Sequence, residues 1–387
     1  MGFRSWRARS RRALVAAALM TTIVTGTAGW AIGSEQQPLT GPPPGTSSWR
    51  ADHTAGMTLP DPETASPDRI AAFFDSLDQD RRDRLVARHP SVVGNLDGAP
   101  AALRFEANSR YLRAERAREQ TRVTDPDLTL QDHERARSLI DRYDELLTPG
   151  RQILAFDPRG RGQVAEVYGD LATAEHVSVV VPGSDIDLST FDRATDRYGT
   201  PAGMGHALRA ATGPRTAVIA WVGYTTPVGL GPDAATGRLA EAGAPRLVRF
   251  AQGLTASGTP RPAVFCHSYG SVVCGLAASR LPTADLVVLG SPGMRADSVA
   301  DLHTTARVWA AKDDSDWIDK VPSVELFGLG HGEDPAEPGF GARRIPAERA
   351  EGHTGYFAPG TDSLRAFARI ADGAGTSDRN RPTGART

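Results

Sequence analysis

Lysine is almost missing from this chain: it occurs only at Lys312 and Lys320. The remaining bases are arginines, and 44 basic residues face 46 acidic ones for a net charge of −2. So balanced a chain offers no one-signed surface to a polyanion, which argues against a nucleic-acid partner. Cysteine is nearly as scarce, with only Cys266 and Cys274. Two thiols can neither close a four-cysteine metal site nor staple a cysteine-rich scaffold. The histidines lack metal-ligand spacing, so no metal is expected. No glycine-rich phosphate loop of the Walker or dinucleotide type is present, and no cofactor is expected. Beyond residue 33 there is also no run long and apolar enough to span a bilayer.

What is present begins with a targeting segment at 1–33. Arg4, Arg7, Arg9, Arg11 and Arg12 form a basic region, followed by an apolar run from Ala13 to Ile32. Ser10-Arg11-Arg12 resembles the start of a twin-arginine export signal. Two outcomes stay open. Cleavage as a signal peptide suits the weak hydrophobicity, with Gly26-Thr27-Ala28 as a small-x-small site; retention as a membrane anchor suits the length. Either outcome places the protein outside the cytoplasm, secreted or at the cell surface. In that compartment an even cysteine count suggests a Cys266–Cys274 disulfide. The competing reading is a pair of small buried thiols in a tight strand–helix contact.

Residues 34–65 carry Gly41-Pro42-Pro43-Pro44-Gly45 and further prolines, the composition of a linker or tether. Residues 66–150 read as an α-helical subdomain. Ser66 before Pro67 is a cap followed by a first-turn proline, and Ile70, Phe73, Phe74 and Leu77 keep helical spacing. Further helices are expected around Leu85 and Val86, from Pro100, and after Thr129. From 151 to 375 the period changes. Short apolar runs recur at 152–157, 164–169, 176–181, 216–222, 262–266, 285–289, 306–311 and 341–345, and helical patterns separate the later ones. A hairpin start followed by β-α units predicts an α/β fold: a mostly parallel eight-stranded sheet flanked by helices. Residues 376–387 read as a disordered tail.

The chain is organised around Cys266-His267-Ser268-Tyr269-Gly270. An apolar run leads into it and a small-residue helix leads out. That is the layout of a nucleophile elbow, in which a sharp turn holds a serine hydroxyl above a sheet. The usual sequence is G-x-S-x-G, and Cys266 stands where the first glycine belongs. A serine needs a base to take its proton and an acid to hold that base. The acid is expected just after the strand at 306–311, where Asp316 is favoured and Asp313 competes. For the base, His353 before the last helix is favoured and His331 competes. The backbone N–H of Tyr269, with that of Ser184 or Gly183, is expected to hold an oxyanion. A carboxylate at Asp185 would oppose that charge, so its side chain is expected to face away. His267, Tyr224 and His331 are candidate pocket residues, and His303 is expected to be structural.

Several stretches resemble an actinobacterial group of α/β hydrolases described as a domain of unknown function. They are Val92 to Pro100, Val181-Pro182-Gly183, Trp221-Val222-Gly223-Tyr224, the Ser268 elbow, His331 to Pro335, Phe340-Gly341-Ala342, and Gly352-His353 with Tyr356-Phe357. The resemblance covers roughly residues 66–375. It implies the α/β-hydrolase fold and a Ser268, Asp316, His353 triad, and supplies no substrate. Two functions are expected to compete. One is an exported serine hydrolase acting on a small-molecule or lipid acyl ester, associated with a membrane if its leader is retained. The other is a non-catalytic surface binding or scaffold protein on the same fold.

Overall fold

The computed structural model describes residues 36–53, 57–320, 325–326 and 328–374. The expected targeting segment and C-terminal tail lie outside the described residues. Among the described residues no helix is long and apolar enough to cross a membrane.

Eleven strands are described. Eight build the main sheet: β1 (Gln152–Asp157), β2 (Gln163–Tyr168), β3 (His176–Val181), β4 (Thr216–Val222), β5 (Ala263–His267), β6 (Asp285–Leu289), β8 (Arg307–Ala311) and β11 (Arg343–Ile345). Their order is β1-β2-β4-β3-β5-β6-β8-β11. β2 runs antiparallel to both β1 and β4, and every other pairing is parallel. These are the eight runs read from the sequence, displaced by at most two residues at an end. Strands β3 to β6 are rich in Val, Leu and Ile because helices cover both faces, and their residues are almost all buried. One core lies between the sheet and helices Arg238–Ala256 and Gly270–Ala277. A second, on the opposite face, gathers Phe265, Met204, Leu208, Phe357 and Phe367.

The chain leaves β3 outward to β4 and returns to β5 on the other side of β3. This reversal opens a crevice at the carboxyl ends of β3 and β5, where ligands bind in such sheets. A smaller sheet of β7 (Gly293–Ala296), β9 (Glu325–Leu326) and β10 (Leu329–Gly332) was not expected from the sequence.

Ahead of the sheet the chain is helical. Ser66 Oγ accepts from Arg69 N at 3.3 Å at the head of helix Pro67–Asp75. Two long helices, Ala101–Val123 and Leu130–Leu146, complete it. The linker reading of 34–65 is corrected. Trp49 is fully buried beside Ile70, Phe74 and Val92, and its Nε1 donates to Pro60 O at 2.8 Å. Leu39 N donates to Thr225 Oγ1 at 3.0 Å and Gln36 N to Asp233 Oδ2 at 2.6 Å. Proline here sets the path of a packed segment, because a buried tryptophan outweighs the flexibility its neighbours would confer.

Candidate active site

β5 ends at His267, and helix Gly270–Ala277 begins three residues later. Between them Ser268 takes φ 53°, a left-handed conformation that costs a non-glycine residue of order 1 kcal/mol or more. The corner is pinned on both sides. Ser268 N donates to Leu289 O at 3.0 Å, and Ser271 N donates to Ser268 O at 2.9 Å. Close packing explains the small residues around it. A Cβ on Gly270 would lie 2.6 Å from Pro182 O, and one on Gly183 would lie 2.6 Å from Ser268 Cβ. The loop after β3 therefore passes directly against the serine.

Cys266 turns from the strand toward this helix and forms a disulfide with Cys274, their Cα atoms 6.5 Å apart. The departure from glycine at this position thus ties β5 to the helix behind the corner.

Asp316 and His353 are brought into contact. His353 Nδ1 lies 2.8 Å from Asp316 Oδ1 and 3.1 Å from Oδ2. Tyr356 Oη donates to Asp316 Oδ2 at 2.7 Å, and Ile318 N donates to Oδ1 at 2.9 Å. Burial raises the Asp316 carboxyl, but hydrogen bonding from His353, its charge, and the Tyr356 and Ile318 donors outweigh that and hold it below its ordinary value. Asp313 is occupied otherwise: its Oδ1 accepts from Ser315 N at 2.9 Å, closing the turn that presents Asp316. With Nδ1 committed to the acid, Nε2 is the ring nitrogen left for the serine. Gly290 at the end of β6 gives the pair room. A Cβ there would meet Asp316 Oδ2 at 2.9 Å and His353 Nδ1 at 3.1 Å.

Among the described residues, no acceptor is paired with the backbone N–H of Tyr269 or Ser184, both beside the serine corner. Such donors are what an oxyanion requires. Asp185 turns away, its carboxylate accepting from Gly229 N at 2.7 Å.

The expected pocket residues turn out to be supports. His267 is buried, and its Nε2 donates to His353 O at 2.8 Å, holding the backbone of the base. Burial, followed by the neighbouring His353, pushes it down to about 3, so it is neutral. Tyr224 is buried too and donates its hydroxyl to Pro182 O at 2.7 Å, bracing the loop after β3. His331 sits edge-on to the Tyr269 ring, donates Nε2 to Ala234 O at 2.7 Å, and is likewise pushed down by burial, to about 4. In each case an adjacent carbonyl turns the polar atom inward. Sequence reasoning missed two further residues. Trp317 packs its ring 4.5 Å from the His353 ring, and Tyr356 is the second donor to the acid. Both lie within three residues of a predicted triad member, and Tyr356 also falls in one of the stretches that carry the family resemblance.

Residues 157–326 match the model of a family described as alpha/beta hydrolase. Two uncharacterized proteins of Mycobacterium tuberculosis, from strains CDC 1551 and H37Rv, are each 31% identical over 379 residues. The matches take in 82% of this chain and 57% of each relative, so the chain spans little more than half the length of the curated relatives it matches. Among solved structures the chain is similar to esterase PE8 at 17% identity, with a TM-score of 0.36 over 53% of this chain and 97% of that one. It is similar also to a serine hydrolase without a lid from Xanthomonas campestris, at 16% identity and TM-score 0.33, over 58% of this chain and 94% of that one. At such values the strand order and the family match, rather than these superpositions, identify the fold.

Proposed function

We propose, from the match of residues 157–326 to an alpha/beta-hydrolase family and from the geometry above, that the protein is a serine hydrolase of acyl esters, with Ser268 as nucleophile, His353 as base and Asp316 as the acid that orients it. The observation that carries this reading is the His353 Nδ1–Asp316 contact of 2.8 Å, with Ser268 held at φ 53° next to His267, whose ring bonds the backbone of His353. Neither feature serves packing, and the backbone strain at Ser268 has no other evident return.

The chemistry follows from the roles. Ser268 Oγ attacks the acyl carbon while His353 Nε2 takes its proton. The carbonyl oxygen becomes an oxyanion, facing the N–H groups of Tyr269 and of Ser184 or Gly183. His353 returns the proton to the leaving alcohol as the C–O bond breaks, and an acyl-enzyme remains. Water then repeats the sequence in reverse, giving the free acid. Asp316, kept ionised by its donors, stabilises the imidazolium in both halves.

An apolar acyl group suits the surroundings. Val228, Leu230 and Leu329 are among the few large apolar side chains left exposed. Val228 and Leu230 lie on the loop after β4, which bonds to Asp185, and Leu329 on β10 bridges to Thr236. The basic and apolar stretch at 1–33 supports export, with cleavage or anchoring decided by intact-mass measurement of medium and membrane fractions.

Labelling by a fluorophosphonate probe tests the reading. Wild type should be labelled, and Ser268→Ala should not. An unlabelled wild type that also turns over no p-nitrophenyl ester of any chain length would favour the non-catalytic binding role instead.

A further inference from the structure

A cavity of about 270 Å³ lies where the helical subdomain meets the carboxyl end of β4. Neither Ser268, His353, Gly183 nor Tyr269 lines it. Its apolar wall includes Phe156, Trp221 and Phe250, and its polar wall is unusual in its charges. Three carboxylates reach it, and each has a guanidinium of its own. Asp157 is held by Arg159 at 2.6 Å, Asp97 by Arg104 at 3.2 Å, and Glu63 by Arg50 at 3.1 Å.

Two more guanidiniums line the same space, Arg246 with no carboxylate partner among the described residues and Arg249 with only a long one. Among the described residues Arg246 has no carboxylate within bridging distance. It donates to Gly223 O and to Gln163 Oε1, both at 2.6 Å, and the rest of its fork borders the cavity. Arg249 donates to Pro62 O and Ala65 O, and its nearest carboxylate is Asp97 at 3.9 Å, already taken by Arg104. Burial pulls the Arg246 guanidinium below its ordinary value, against the opposing charges of Asp97 and Asp157, neither of which bridges to it. Beside it the buried Gln163 carboxamide nitrogen has no hydrogen-bond partner. An unpaired guanidinium, a second one only distantly paired, and an orphan donor around an aromatic-lined hole make a setting suited to an anion.

We propose that this cavity is a second ligand site, separate from the serine, that binds a small organic anion: a carboxylate held by the forks of Arg246 and Arg249, on an apolar body of about ring size seated against Trp221, Phe156 and Phe250. Guanidinium forks match carboxylates bidentately, and the three aromatic rings reject a bare hydrated ion. An occupant there would bridge the helical subdomain to β1, β2 and β4.

Titration calorimetry on the full chain tests this with benzoate as the probe and benzyl alcohol as its neutral counterpart. Benzoate should bind saturably, with one site per chain. Benzyl alcohol should bind at least tenfold more weakly. Ser268→Ala should bind benzoate as wild type does, which separates this site from the esterase reading. Arg246→Gln should weaken binding at least tenfold, and Arg249→Gln serves the same purpose if the first variant does not fold. No saturable heat up to tens of millimolar benzoate in wild type would overturn the proposal. So would equal binding of benzyl alcohol, or full affinity in a folded Arg246→Gln or Arg249→Gln variant.

Discussion

At the scale of single residues, the roles at the site separate by what each side chain touches. Ser268→Ala should abolish ester turnover and probe labelling while leaving the thermal midpoint near wild type, since among the described residues no hydrogen bond from the hydroxyl supports the fold and the corner is pinned by its backbone. His353→Ala should cost several orders of magnitude in kcat, because base and nucleophile act as one unit. Asp316→Asn should cost about 10³–10⁴-fold, through the wrong imidazole tautomer. His331→Gln should retain most of kcat; loss comparable to His353→Ala would reassign the base. His331 makes its mark on stability instead. Its value of about 4 when folded, against ~6.5 unfolded, means that the unfolded chain binds more protons between those limits. Stability from this group is therefore complete above about pH 6.5 and declines as pH falls toward the folded value. Denaturation midpoints measured from pH 7 to 4.5 should fall in wild type, and His331→Gln should remove ~2–3 kcal/mol of that fall. An unchanged pH slope would mean that His331 is not buried neutral. The sequence could place Ser268 and His353 because elbow and last-helix loop have fixed positions in the chain. It ranked Asp316 over Asp313 only on the apolar pair that follows Asp316, since both lie in one turn; in the fold it is Asp316 that faces the imidazole. It misjudged His267, because successive strand residues point to opposite faces. A neighbour of the serine in sequence thus came to lie beneath the base.

Elements rather than residues decide how rigid that corner is. β5 and helix Gly270–Ala277 are joined by the Cys266–Cys274 bridge and by the close passage of the loop after β3. The bridge closes a short loop, for which chain-entropy arguments give ~2–3 kcal/mol. Cys266→Gly with Cys274→Ala should lose about that much in urea denaturation while restoring the familiar glycine and keeping turnover. A double variant as stable as wild type would mean that the thiols are not bridged in the folded protein. Gly183→Ala tests the other tie. The added methyl would fall 2.6 Å from Ser268 Cβ, so the loop must shift, and kcat should drop at least tenfold with little change in KM. Eight strands were legible here because buried parallel strands are short, unbroken apolar runs. The small sheet of β7, β9 and β10 was not, since Leu329-Gly330-His331-Gly332 shows neither alternation nor apolar length.

For the whole molecule, the segment read as a tether is the joint between the two halves. Composition suggested a linker, and five prolines and glycines in a row at 41–45 justify that on chain statistics alone. Composition is blind to one fact: Trp49 enters the core formed by Ile70, Phe74, Leu85 and Val92, and is wholly inaccessible to solvent. Arg50 then bridges to Asp61 at 2.7 Å, and Leu39 and Gln36 reach across to the hydrolase half. The segment ahead of the subdomain's helices is in this way tied to the stretch that follows β4, the same stretch whose Gly229 holds Asp185. A free tether should be cut by trypsin at Arg50 within the first moments of digestion, and its removal should leave the rest unaffected. A packed joint should resist cleavage there under native conditions, because the bond lies at the end of helix Thr46–Arg50 beside a buried side chain. Trp49→Ala should cost about 3–5 kcal/mol of unfolding free energy and make Arg50 cleavable. A chain begun at residue 66 should be less stable than one begun at residue 36, having uncovered Ile70, Phe74 and Val92. If instead the shorter chain melts at the same temperature and hydrolyses esters at the same rate, the segment contributes nothing to the fold, and the tether reading stands.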